Sequence, residues 1–111
     1  MARFHQFRLG EIGLSSVVAA ELAYSVAKSG SERNRRALEM FLAPLEIMPF
    51  NEVAIWVYGQ LRADLERRGQ SIGSLDTMIA AHALALDAVL VTNNRKHFQQ
   101  VKTLLLENWY A

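Results

Sequence analysis

Residues 73–94 read GSLDTMIAAHALALDAVLVTNN and decide how the rest of the chain is understood. Ser74 is placed to cap a helix, with Asp76 in its first turn, where the helix dipole favours negative charge. Ile79, Ala80, Ala83 and Leu84 recur at helical spacing. Asp87 and Ala88 then turn the chain into residues 88–91, a short β-branched run of the kind found in an interior strand. Ligands of open parallel sheets gather just beyond the carboxyl ends of the strands. Asn93 and Asn94 fall there, and a strand–helix alternation brings Asp76 toward the same edge.

Working outward, residues 1–10 place Phe4, Phe7 and Leu9 among basic residues and read as the last turns of an amphipathic helix. Ile12 to Ser15 is a short strand, and Ser15 or Ser16 caps a helix running to about Lys28. Ser31 caps a second helix from Glu32 to Leu42 with Leu38, Phe41 and Leu42 as its apolar stripe, and Pro44 ends it. Residues 45–50 alternate like a strand, and Pro49 gives that strand an edge position. Asn51 caps a long helix to Arg68 whose stripe contains Ile55, Trp56, Tyr58, Leu61 and Leu65, and Gly69 closes it. Residues 95–100 make a short helix and 104–106 a last strand. Alternating helices and short strands argue for an α/β fold with a parallel sheet.

The totals narrow the function classes. A chain of 111 residues supports one domain with one core. With no cysteine, disulfides and thiolate metal sites are excluded, which suits a reducing compartment. No apolar run reaches the length that spans a bilayer, and residues 1–10 are too charged for a signal peptide. A net charge of +1 gives no global reason to bind nucleic acid, so any such contact must come from a local patch. His5, His82 and His97 show no ligand spacing, which argues against zinc; His82 is expected to bond within its helix layer. There is no phosphate-binding glycine loop and no serine nucleophile elbow.

Glu21 stands out because Val17–Ala20 and Leu22–Ala23 around it are apolar or small, and an unpaired carboxylate is costly to bury there. It either lies at a helix edge, solvated or paired with an arginine, or points with Asp76 into one strand-end cleft. Two carboxylates from different helices form a hard-oxygen site suited to Mg²⁺ or Mn²⁺. Asp76 in turn is either a dipole partner or a ligand. Asn93 and Asn94 either end the strand in a turn or reach a metal-bound water or a phosphate. Arg67 and Arg68 sit in a last helical turn, where cations are favoured. Arg95 and Lys96 open a helix, where cations are not, beside the candidate metal edge, so a phosphate contact is expected of them.

Several runs in this order resemble a known family. Ile12-Gly13-Leu14-Ser15-Ser16 with Ala20-Glu21-Leu22-Ala23-Tyr24, then Ile72 through Ala83, Val91-Thr92-Asn93-Asn94 and the closing Leu106-Glu107-Asn108-Trp109 are similar to PIN-domain ribonuclease toxins of the VapC type. The resemblance covers essentially the whole chain. It implies a single three-layer α/β domain over residues 1–111, a small parallel sheet flanked by helices. It implies a cytoplasmic metal-dependent endoribonuclease of a toxin–antitoxin system, with RNA as substrate, a VapB-type antitoxin as partner, and a homodimer. The family's second acid falls on Glu21 and its third on Asp76, which would hold Mg²⁺ or Mn²⁺, and Asn93 joins them as a catalytic position; Arg95 and Lys96 would contact RNA.

The family opens with a strand ending in Asp-Thr-Asn, whose aspartate is a metal ligand, and these 111 residues contain no such motif. The expectation is therefore a PIN-like domain truncated at its N-terminus, lacking its central strand, with Ile12–Ser15 and residues 88–91 left flanking a gap. Such a chain would cleave RNA poorly, and restoring the strand would restore cleavage. The alternative is a non-catalytic PIN remnant that binds an antitoxin or self-associates. A small α/β binding module without nuclease ancestry is the third class.

Overall fold

The computed structural model describes residues 3–4, 12–91 and 95–107. Their order is β1 (Arg3–Phe4), β2 (Ile12–Ser15), α1 (Ser16–Ser29), α2 (Glu32–Leu42), β3 (Glu46–Met48), α3 (Glu52–Arg67), α4 (Ser74–Ala85), β4 (Val89–Val91), α5 (Arg95–Phe98) and β5 (Leu105–Glu107). The five strands form one sheet in the order β3-β2-β1-β4-β5, with every pairing parallel. Parallel strands require crossover connections, which is why α1–α2, α3–α4 and α5 lie between successive strands and cover the sheet.

The middle of this sheet is the first correction to the sequence reading. Arg3 and Phe4 are not helical: they pair with Ile12 and Gly13 of β2 on one side and with Val89 and Leu90 of β4 on the other. The place expected to be empty holds β1. An unpaired row of backbone donors and acceptors between two buried strands is costly, and Arg3–Phe4 occupies that row. β1 reaches only the first half of β2; Leu14 and Ser15 lie beyond it, fully buried, at the carboxyl edge. The other positions of residues 1–10 lie outside the described residues.

The helix boundaries follow local chemistry. The Ser15 hydroxyl accepts from the Val17 amide and caps α1, and Gly30 closes that helix in the left-handed region at φ 65°. Ser31 caps α2 through the Asn34 amide, and Asn51 caps α3 through the Ala54 amide. Ser74, however, is not a cap. The capping position of α4 is Gly73 at φ 94°, and the Thr77 hydroxyl donates to its carbonyl at 2.5 Å.

Leu65, Ile72, Ala80, Ala83, Ala88, Leu90, Phe98, Val101 and Leu104 form the main core, built where α3 and α4 pack on β4 and β5. α4 is buried around much of its circumference, with Thr77, Ala80, Ala81, His82 and Ala83 all inside, the pattern of a helix surrounded by protein. In α3 the residues facing the core are Ala54, Leu61 and Leu65, not the expected full stripe: Ile55 is 55% exposed and Trp56 73% exposed. The small Ala54 permits close approach, which turns the larger neighbouring side chains outward. β3 takes the edge position its proline suggested.

Candidate active site

The carboxyl edge of the sheet is organised by a cluster that begins at the end of β2. Ser15 is wholly buried, and its hydroxyl lies 2.7 Å from Nδ1 of His82, itself 1% exposed. The other ring nitrogen, Nε2, is 3.0 Å from the Pro49 carbonyl oxygen. A carbonyl accepts and cannot donate, so the proton of the neutral ring sits on Nε2. Nδ1 then accepts from the Ser15 hydroxyl, which in turn accepts from the Val17 amide at the start of α1. The Phe50 ring meets the imidazole edge-on, with centroids 5.3 Å apart and planes at 75°. Alongside, the Phe50 amide donates to the Ser16 hydroxyl at 3.0 Å.

This arrangement corrects the expectation for His82. Its partners are not in its own helix layer but at the ends of two strands. Burial pushes its pKa below the usual histidine value, only partly countered by the bond to Pro49. The neutral ring is the form the cluster requires.

The two candidate ligands sit on helices that this cluster joins. Glu21 is on α1 and is exposed; among the described residues no arginine pairs with it. Asp76 is half-buried in the first turn of α4. α1 and α4 contact each other. Both acids supply only oxygen donors, the set a magnesium or manganese ion favours. Among the described residues, no three acidic or histidine side chains converge as a metal cluster. Asn93 and Asn94 lie outside the described residues. Arg95 opens α5, and Lys96 is exposed on it.

Sequence reasoning passed over Ser15 and His82 as a pair. A usable signal existed: a titratable ring in a helix otherwise lined by alanine and leucine demands a buried partner. Sequence spacing does not say which residue, 67 positions away, supplies it.

A parallel five-stranded sheet with helical crossovers defines a small α/β domain, and comparison with known proteins makes the class specific. Residues 2–104 match the PIN domain. Ribonuclease VapC2 of Rickettsia felis is 48% identical over 88% of this chain and 74% of its own length. The tRNA(fMet)-specific endonuclease VapC of Shigella flexneri is 38% identical over 90% of this chain and 76% of its own. A crystal structure of DNA-bound VapBC from Salmonella typhimurium superposes with a TM-score of 0.86, with 37% identity over 89% of this chain and 76% of that one. The chain belongs to the PIN-domain family, among the VapC ribonucleases of VapBC toxin–antitoxin systems.

Proposed function

We propose that this chain acts as a metal-dependent endoribonuclease, with Glu21 and Asp76 holding Mg²⁺ or Mn²⁺. The observation that carries the reading is the placement of both acids on α1 and α4, two contacting helices pinned together at the carboxyl edge of a PIN-type sheet. Glu21 and Asp76 would hold the ion, which when bound would supply an activated water and offset charge on the departing oxygen of a phosphodiester. The chain's own residues do the rest. Asp76 sits in the first turn of α4, where the helix dipole favours a negative charge. Glu21, exposed on α1, leaves the approach open to a chain-like substrate. Asn93 is proposed to act with the acids in catalysis, and Arg95 and Lys96 to bind RNA. Two carboxylates leave most of a magnesium shell to water, so modest affinity and slow cleavage are expected.

The proposed partner is a VapB-type antitoxin. Leu38 and Leu42 of α2 face Ala23, Val26 and Ala27 of α1 across an apolar groove of about 430 Å³, with Arg35 and Glu39 among its polar lining. Such a groove suits an amphipathic segment of a partner. Val53, Ile55 and Trp56 expose a second apolar surface on α3, which we assign to a second copy of this chain. No described helix is long and apolar enough to cross a membrane, and we place the activity in the cytoplasm. Gel assays of RNA cleavage across a magnesium titration test the enzymatic reading. Cleavage that requires the metal and is lost in Glu21→Gln and Asp76→Asn supports it. A folded chain that binds an antitoxin yet never cleaves RNA favours the non-catalytic reading that the groove would also serve.

A further inference from the structure

α4 meets the sheet edge with a surface of small side chains. Ala80, Ala81 and Ala83 are fully buried, and such residues provide few knobs to set the height of one helix against its neighbours. A directional bond can set it. At this edge the imidazole of His82 is held at both nitrogens, by Ser15 at 2.7 Å and by the Pro49 carbonyl at 3.0 Å. Ser15 is also the residue that starts α1. The neighbouring Phe50 amide donates to the Ser16 hydroxyl at 3.0 Å and ties the two strand-end junctions to each other. The junctions β2–α1 and β3–α3 are thereby clasped to a single point on α4.

Both proposed acids are counted from that point. Glu21 lies six residues after Ser15 along α1, and Asp76 six residues before His82 along α4. At helical rise each is about 9 Å along its helix from the same bond. We propose that His82 is a positioning residue for the acidic pair: bonded at once to Ser15 and Pro49, it fixes where α1 starts relative to α4, and so where Glu21 stands relative to Asp76. This rests on the metal-site reading above. A buried polar ring costs free energy unless fully bonded, and an apolar side chain of similar volume would fill the space without specifying one arrangement. The bonds therefore contribute precision more than bulk stability.

The test measures Mn²⁺ binding by the purified 111-residue chain, by calorimetry and by the electron paramagnetic resonance of free Mn²⁺, without reference to cleavage. His82→Leu keeps the volume and removes both bonds. His82→Gln offers an amide acceptor and donor spaced much like the two ring nitrogens. Mn²⁺ affinity is expected to fall about 10-fold in His82→Leu, in the range seen when groups that orient ligands are lost, and to recover in His82→Gln. Ser15→Ala, which keeps the imidazole, is expected to weaken binding as well and covers the case in which His82→Leu does not fold. Wild-type affinity in a folded His82→Leu or in Ser15→Ala overturns the inference and leaves the proposed function standing, as does an equal loss in His82→Gln and His82→Leu. A wild-type chain that binds no Mn²⁺ overturns the proposed function and this inference together.

Discussion

Ser15 and His82, 67 residues apart in the chain, meet through a buried 2.7 Å hydrogen bond that joins the start of α1 to the last turn of α4. Removing the hydroxyl by Ser15→Ala strips α1 of its cap and leaves Nδ1 of the imidazole without its donor. Leaving one partner of a buried bond unsatisfied costs about 1–3 kcal/mol. Urea unfolding should show a loss in that range. Combined with His82→Leu, the two losses should add to less than their sum, because the second change removes a group the first had already orphaned.

The same cluster sets a pH dependence. Burial lowers the folded-state pKa of His82 below its ordinary value of 6.5, so below that pH the unfolded chain binds the proton more readily than the folded one. The stabilising contribution is complete above about pH 6.5 and is lost as the pH falls through that value toward the folded pKa. Urea midpoints measured across this range should decline in the wild-type chain. In His82→Gln, which has no titrating ring, that part of the decline should vanish, leaving the slope due to carboxylates.

Asp76→Asn should separate catalysis from folding. Loss of the negative charge in the first turn of α4 costs about 0.3–1 kcal/mol through the helix dipole, a small shift in thermal midpoint. Magnesium-dependent RNA cleavage should nonetheless disappear. Undiminished cleavage by a stable Asp76→Asn chain would remove Asp76 from the metal site.

Gly73 begins α4 at φ 94°, a conformation that side chains with a Cβ rarely adopt. There is open space around the position, so Gly73→Ala meets backbone strain and not a clash. The expected loss is about 1–3 kcal/mol, read by denaturant unfolding. Gly59→Ala, in the interior of α3 with open space around it, should instead be neutral or stabilising.

Trp56, 73% exposed on α3, should be replaceable by serine with a change of about 0.5 kcal/mol or less in the stability of a monomer. If the α3 surface joins two copies, sedimentation should show Trp56→Ser shifted toward monomer. An unchanged sedimentation profile would clear α3 of that role.

What the amino-acid order determined by itself is the set of local elements. Ser31, Asn51 and Gly69 mark helix ends through capping and left-handed geometry that act within a few residues, so α2 and α3 could be placed closely from spacing alone. The alternation of helices with short β-branched runs likewise specified a parallel sheet, and the acids of residues 21 and 76 stood out against their apolar neighbours. Only the tertiary structure decided the rest. Arg3–Phe4 carries no strand signature in two residues, yet the unsatisfied edges of β2 and β4 draw it into the middle of the sheet. Ile55 and Trp56 have core-like side chains, yet the close approach allowed by Ala54 leaves them outside. His82 found its partners at Ser15 and Pro49 because buried hydrogen-bonding groups pair by distance in space, and neither partner is near it in sequence.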